Sequence, residues 1–411
     1  MTVVIDVSLD RERWGRLGPL TMLSEYCTDD VDIVNLLVDD LRYLTLVNDR
    51  EIASDLLRRP EQEVTKEQDS NEAIAELFGD GLLTASGDSW REQRGRCTAS
   101  MGALAGRGPD WPELERDLIR KIDRDVCFGP CDDTFGALKR VLFEVFIRHV
   151  LRSSAAVDSE AFTDATDTVL AAARNPDFVM LDNSHGIPEP ASVSSALASL
   201  DTMTDNIFRS ALPDSPWLKS LRALDPRVRR QRITTLLLSG HETTALTATW
   251  LLLQLAREER AQALLRSTHD VDSFVLESLR LTPPVYGLGR VPAVDLAAGS
   301  CRFAAGSNLL ISVWTMQRRA RYFERPLEFR PSRWRDGSCT GSDLLSFGAG
   351  ARRCLGARYA MELAGLIVMH IVSTCRIVGP ELDQISPVGF LTVRPSQPVE
   401  LEFEPIASPS A

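Results

Sequence analysis

Ser346-Phe347-Gly348-Ala349-Gly350-Ala351-Arg352-Arg353-Cys354-Leu355-Gly356, running into Ala357-Arg358-Tyr359-Ala360-Met361-Glu362, is the stretch on which the fold turns. Its glycines permit positive φ and let the backbone approach a flat ligand closely. A cysteine at the mouth of a helix gains from the dipole and from free N–H groups, both of which favour thiolate. A thiolate in a tight loop ringed by arginines suits an iron porphyrin, which needs a strong axial donor and cations for two propionates. Simpler readings compete. A dinucleotide loop fails because Arg353 stands where a third glycine is required, and a phosphate loop fails for want of Gly-Lys-Ser/Thr. A buried structural cysteine is the commonest fate of a lone Cys. It leaves Phe347, Gly350, Arg352 and Gly356 at these spacings unexplained.

The rest of the chain bounds the answer. In 411 residues, 44% are hydrophobic and 25% charged, which is globular and long enough for a deep core. A net charge of −12 argues against nucleic acid as the partner. Eight cysteines are too sparse for a disulfide scaffold and read as reduced thiols. No basic-then-apolar leader opens the sequence, and the most apolar run, residues 363–372, is too short for a bilayer. The expectation is a cytoplasmic chain with no membrane contact.

Apolar spacings of three and four predict helices over Ile52–Leu57, Leu114–Val126, Leu138–Leu151, Leu236–Glu259 and Arg358–Val378. Strand-like pieces lie at Leu41–Val47, Val285–Val294, Asn308–Trp314 and Gly389–Phe403. Asn175–Pro226, rich in Asp, Ser and Pro, reads as irregular and suited to a lid. The expectation is a single domain over residues 1–411, mainly α with a smaller β-rich portion (α+β).

Phe347-x-x-Gly350-x-Arg352-x-Cys354-x-Gly356 resembles the heme-binding signature of the cytochrome P-450 (heme-thiolate) superfamily, and Ala360 and Glu362 continue its pattern. Five fixed positions match by chance in on the order of one chain in ten thousand. The resemblance implies the cytochrome P-450 fold, with heme b (iron protoporphyrin IX) between a long central helix and the helix after Cys354. Cys354 becomes the axial thiolate, within a loop of Phe347, Gly348, Gly350, Arg352 and Gly356.

Other motifs follow in the family's order. Glu277-x-x-Arg280 alone is an ordinary helix pair worth a few tenths of a kcal/mol, roughly. With Phe329-Arg330-Pro331-Ser332-Arg333-Trp334 it resembles the family's buried ion network, which makes Glu277, Arg280 and Arg333 structural. Ser239-Gly240-His241-Glu242-Thr243-Thr244-Ala245 opens like a zinc-protease motif, but Ala245 replaces the second histidine. Ser239-x-x-Glu242 also matches a capping box. The segment further resembles the family's oxygen-binding helix, with Thr243 as alcohol, Glu242 as acid and Gly240 leaving room for dioxygen. A hydroxyl beside a carboxylate can relay protons. Trp90 and Arg94, one helical turn apart, share a face; a stacked surface pair is the ordinary reading. By resemblance they, with Arg290 and above all Arg352, hold heme propionates. Cys127 and Cys131 lack a second pair for zinc. Gln317-Arg318-Arg319-Ala320 departs from the family's His/Asn-Arg-Asp-Pro, which affects local turn geometry.

The activity implied is that of a soluble bacterial heme-thiolate monooxygenase. It activates dioxygen to hydroxylate or otherwise oxidise a hydrophobic small molecule in specialised metabolism, with terpenoids suggested by the wording around Leu82–Trp90. Oxidative coupling, peroxide-driven oxidation and a non-catalytic heme sensor are the alternatives. Pocket walls by resemblance include Ile74–Leu83, parts of Asn175–Pro226, Leu237, Val285–Leu288 and Leu391, largely apolar. With no flavin or iron–sulfur module in the sequence, electrons are expected from a ferredoxin and its reductase. Arg353 and Arg358 offer a basic docking patch, and the chain is read as a monomer.

Overall fold

The computed structural model describes residues 2–10, 13, 18–38, 41–66, 75, 78–104, 108–128, 131–172, 189–379 and 382–406. Its strands are β1 (Val4–Leu9), β2 (Ile33–Val38), β3 (Leu41–Val47), β4 (Val64–Lys66), β5 (Gly287–Pro292), β6 (Leu296–Ala298), β7 (Cys301–Phe303), β8 (Leu309–Ser312), β9 (Cys375–Val378), β10 (Pro387–Gly389), β11 (Val393–Pro395) and β12 (Glu402–Pro405). Its longer helices are α1 (Pro19–Tyr26), α2 (Arg50–Arg58), α3 (Gly87–Leu104), α4 (Trp111–Ile122), α5 (Thr134–Val145), α6 (Ser159–Ala172), α7 (Pro190–Arg209), α8 (Pro226–Gly240), α9 (Glu242–Arg257), α10 (Glu259–Thr268), α11 (Val271–Leu281) and α12 (Ala357–Thr374). Helices dominate, and both chain ends supply the sheets, as the α+β reading predicts.

One sheet runs β1-β2-β3-β8-β5-β4, with β1–β2 and β3–β8 parallel and the other pairs antiparallel. Hairpin β10–β11 and the pair β12–β9 bring the C-terminal segment back onto the helices. At the centre lies α9, buried on nearly every face and packed against α5, α11 and α12. A helix without a polar face belongs inside a large core. Trp250 fixes it to the hairpin, donating its indole N–H to the Val393 carbonyl at 3.0 Å.

Several sequence expectations need correction. The predicted helix Leu236–Glu259 is two helices, α8 and α9, interrupted at His241. The last four residues of Arg358–Val378 form strand β9. Of Asn175–Pro226, residues 175–188 lie outside the described residues, but 190–209 form a 20-residue helix. Its buried side, Ala196, Leu200, Thr204 and Ile207, has helical spacing diluted by small and hydroxyl residues. Strands β1 and β2 are additions to the sequence expectation.

Candidate active site

The loop before α12 is closed by its own backbone. Cys354 N–H donates to the Phe347 carbonyl at 2.8 Å, and Arg353 N–H to that of Gly350 at 3.1 Å. Gly348 and Gly350 take φ of 67° and 68°, where an L side chain is strained. A Cβ on Gly350 would stand 2.1 Å from the Leu57 carbonyl oxygen, so the end of α2 packs directly on this turn. Gly356 is the N-cap of α12. The backbone N–H groups of Gly356 and Ala357, at the start of α12, favour the charged form of the Cys354 sulfur. Burial pushes its thiol above the ordinary value; those N–H groups and the charges of Arg94 and Arg353 pull the other way. Deeply surrounded as it is, the side chain keeps exposed surface. It lines an opening rather than packed core.

Cations gather beside it. Arg94 on α3 donates to the Arg353 carbonyl at 2.6 Å. Arg352 lies over the Trp90 ring at 4.5 Å and pairs with Glu61 at 2.8 Å, while also donating to the Ala85 carbonyl. Arg290 on β5 is 8% exposed and donates to the carbonyl of its neighbour Gly289. No carboxylate among the described residues pairs with it. Burial, then the nearby Arg352 charge, lowers its pKa to about 10. A buried guanidinium without an acid is costly unless an anion arrives. The expected ranking therefore changes: Arg352 already has a carboxylate, and Arg290 most needs one. These residues fit a heme: an exposed sulfur at a helix start, beside two arginines, Arg290 and Arg94, that pair with no carboxylate among the described residues.

At the junction of α8 and α9, the helix interruption is built from side chains. His241 takes φ −112° and ψ −46°. Its Nδ1–H donates to the Leu237 carbonyl at 2.7 Å, and the Thr243 hydroxyl to the Ser239 carbonyl at 3.3 Å. Ser239 is exposed and Thr243 half-buried in mid-protein, so this face also borders open space. Of the expected wall residues, Val285, Leu288 and Leu391 are half-buried, Leu237 is fully buried and Ile74 lies outside the described residues.

Two site expectations meet different surroundings. Gly240 does not leave free space: a Cβ there would come within 2.3 Å of the Phe146 ring, so its absence admits an aromatic side chain. Glu242 faces the C-terminal hairpin. Arg394 donates to both its carboxylate oxygens at 2.9 and 2.8 Å, and the Thr392 hydroxyl adds a 2.6 Å bond. Burial raises the Glu242 pKa, but the Arg394 charge and these bonds dominate together and hold it at about 2. Arg394 also binds Asp167 on α6. Arg394, Thr392 and Asp167 escape sequence reasoning because no local pattern links them to Glu242.

Behind the loop, Glu277 accepts Arg280 at 2.9 Å, Arg333 at 3.1 Å, the Trp334 indole at 2.8 Å and the Arg330 backbone N–H at 2.8 Å. Arg280 and Arg333 spend their remaining donors on the carbonyls of Gln317, Pro326, Glu328 and Glu324. Gln317, where the sequence departs from the family pattern, does more than shape a turn. Its amide donates to the Leu279 carbonyl and its oxygen accepts from Leu345 N–H and Ser346 Oγ, tying α11 to the cysteine loop.

Comparison with known proteins agrees with this geometry. The family model Cytochrome P450 matches residues 219–403. Cytochrome P450 137 of Mycobacterium tuberculosis is 35% identical over 149 residues, covering 35% of this chain and 31% of that protein. The mitochondrial cholesterol side-chain cleavage enzyme of Equus caballus is 30% identical over 195 residues, 42% of this chain and 38% of the enzyme. The chain thus spans about a third of the length of these curated relatives. Two solved cytochromes P450 from different strains of Thermus thermophilus share its fold at TM-scores of 0.75 and 0.78, each 23% identical. They cover 94% and 98% of this chain, which covers 98% and 100% of theirs. The cofactor common to this family is heme on an axial cysteine thiolate.

Proposed function

From the premise that this chain belongs to the cytochrome P-450 superfamily, we propose that it is a heme-thiolate monooxygenase that uses dioxygen to oxidise a hydrophobic small molecule. The observation that carries this is Cys354: an exposed cysteine side chain at the start of α12, its thiolate favoured by the Gly356 and Ala357 N–H groups, beside Arg290 and Arg94, which pair with no carboxylate among the described residues. Residues 1–411 are read as one heme domain.

Heme, when bound, supplies the activation of dioxygen, and a thiolate donor favours O–O cleavage. The chain's own residues do the rest. Cys354 would hold the group through its sulfur, whose charged form the Gly356 and Ala357 N–H groups favour. Arg290 and Arg94 would take its propionates, with Arg352, stacked on Trp90, as the third cation. The Thr243 hydroxyl, resting on the Ser239 carbonyl, is the side chain that passes protons at the open face. Glu242, locked by Arg394, acts as a positioning residue for that helix start. Apolar Val285, Leu288 and Leu391 bind substrate and exclude water. Arg353 and Arg358, which flank the thiolate, receive a ferredoxin whose reductase supplies electrons. A monomeric cytoplasmic enzyme of bacterial specialised metabolism is the setting we infer; among the described residues no helix is long and apolar enough to cross a membrane.

The locked Glu242 gives specific weight to a second reading, peroxide-driven oxidation, which needs less proton delivery. Turnover with peroxide against turnover with dioxygen and redox partners separates the two. The primary test is the reduced, carbon monoxide-treated spectrum beside that of Cys354→Ser. A strongly red-shifted Soret band that the variant loses is expected. Its absence from heme-loaded wild type would remove the thiolate, and the monooxygenase reading with it.

A further inference from the structure

Glu61 stands in the turn after α2, and that turn is pinned on both sides. The Glu63 and Val64 N–H groups close it onto the Pro60 carbonyl at 2.9 and 3.0 Å. Arg59 holds it from before, pairing with Asp55 and Glu63 at 2.9 Å and donating to the Ala297 carbonyl at 2.7 Å. The same end of α2 packs on the cysteine loop, where the Leu57 carbonyl leaves no room for a side chain at Gly350. The chain therefore delivers the Glu61 carboxylate to a fixed place beside that loop.

One carboxylate oxygen serves two elements. Oε1 accepts Arg352 of the cysteine loop at 2.8 Å and the Gly87 N–H, at the start of α3, at 3.1 Å. Oε2 lies 3.6 Å from Arg91 of α3 and is buried without a hydrogen-bond partner among the described residues. A carboxylate at the first turn of α3 also meets the positive end of its dipole. Burial acts to raise the Glu61 pKa, but Arg352, the Gly87 N–H and Arg91 together lower it, so the group is charged at neutral pH. Arg352 is thus held on three sides, by Glu61, the Ala85 carbonyl and the Trp90 ring.

Arg352 is the middle cation of its cluster, since its charge acts on both Arg290 and Arg94. Among the described residues, Glu61 is the one carboxylate that pairs with any of the three. Three guanidiniums and one carboxylate leave two positive charges, and heme b carries two propionates.

We propose that Glu61 is a positioning residue of the heme site: it acts through Arg352, balancing that charge while Arg290 and Arg94 take the propionates. The inference rests on the heme-thiolate reading. With Glu61 in place, Arg352 is engaged and a bound heme meets a neutral cluster. Without the Glu61 charge, Arg352 is left for a propionate, and the heme lies beside an unbalanced cation. Heme is then held more tightly. Its iron is also reduced more readily, because a nearby positive charge favours the more negative form.

Two variants separate charge from reach. Glu61→Gln keeps the length and an acceptor for Arg352 and Gly87 N–H but removes the charge; Glu61→Asp keeps the charge and shortens the reach to Gly87. Heme transfer to apomyoglobin and the midpoint potential are measured on heme-loaded protein at constant ionic strength. Glu61→Gln should slow transfer by about threefold, a size that fits a partly exposed pair, and move the potential positive. Glu61→Asp should keep the wild-type potential. A role confined to capping α3 reverses this order, with Glu61→Asp the more disturbed and heme lost faster. Unchanged or faster transfer in Glu61→Gln, an unmoved potential, or an equal shift in Glu61→Asp overturns the proposal. The carbon monoxide spectrum of the wild type reports separately on the thiolate. A missing red-shifted band there fails the heme-thiolate reading, while the transfer rates still decide the role of Glu61.

Discussion

Replacing Arg394 with Gln would unlock the carboxylate at the start of the central helix, and the structure says how much that should cost. Glu242 has its side chain 8% exposed and its pKa moved from 4.5 to about 2. At 1.36 kcal/mol per unit, the shift corresponds to roughly 3 kcal/mol of stability at pH 7. Because the folded pKa is depressed, that stability is present above about pH 4.5 and is lost as pH falls toward 2. Without Arg394, burial dominates and the carboxyl pKa rises above its ordinary value, so Glu242 binds a proton nearer neutrality. Asp167 loses the same partner but is 31% exposed and adds little. Arg394→Gln should therefore cost about 3–5 kcal/mol at pH 7 and distinctly less at pH 5. Urea denaturation of the heme-loaded protein, followed by circular dichroism at both pH values, measures it. Adding Glu242→Gln to the variant should recover most of the loss, as expected for coupled neighbours. A cost below about 1 kcal/mol, or a gap that widens as pH falls, would refute the argument.

Three further outcomes are expected. Arg290→Met should leave heme-free protein as stable as wild type or more so, since it removes a buried cation without an acid, yet heme transfer to apomyoglobin should quicken about tenfold or more. Glu277→Ala strands Arg280 and Arg333 and should cost about 3–5 kcal/mol, read as lost heme retention and a lower urea midpoint. His241, held near pKa 4 by burial against an ordinary 6.5, with Glu242, Lys139 and Arg394 as its charged neighbours, contributes stability that is full above pH 6.5 and lost as pH falls to 4. His241→Leu should flatten the urea midpoint across that window.

What the sequence made legible was local. The cysteine loop could be read because its constraints sit within a dozen residues: backbone closure from Phe347 to Cys354, positive φ at Gly348 and Gly350, and a helix start at Gly356. Glu277 and Arg280 share a helix face, so their pairing showed in the spacing, while Arg333 needed the family resemblance. The partners of Glu242 did not show. Arg394 is 152 residues away, and nothing in either neighbourhood marks the pair. The resemblance drew Glu242 toward a proton relay because it identifies residue types and not their rotamers. The capping-box reading of Ser239 and Glu242 fails for a similar reason. The Ser239 hydroxyl turns back to the Thr235 carbonyl, and α9 begins at Glu242 itself. Arg290 was legible as a cation, but its lack of an acidic partner is a fact of packing.

The helix interruption shows how distant contacts can fix a local feature. A continuous helix through Gly240 and His241 would need no help from outside, whereas the observed break leaves the Leu237 and Ser239 carbonyls to be satisfied. His241 and Thr243 side chains do so, although the buried Nε2 of His241 is left without a partner of its own. Phe146 fills the space beside Gly240, where any Cβ would collide with its ring. Glu242 then stands in the first turn of α9, where a negative charge meets the positive end of the dipole, and Arg394 fixes its direction. Each contact comes from a different element: α5 leads into Phe146, β11 carries Arg394, and α6 holds Arg394 through Asp167. The Thr243 hydroxyl inherits its position from all of them. Substitutions at Phe146 or Arg394 should thus alter the proton delivery we propose for Thr243 before they disturb the cysteine loop.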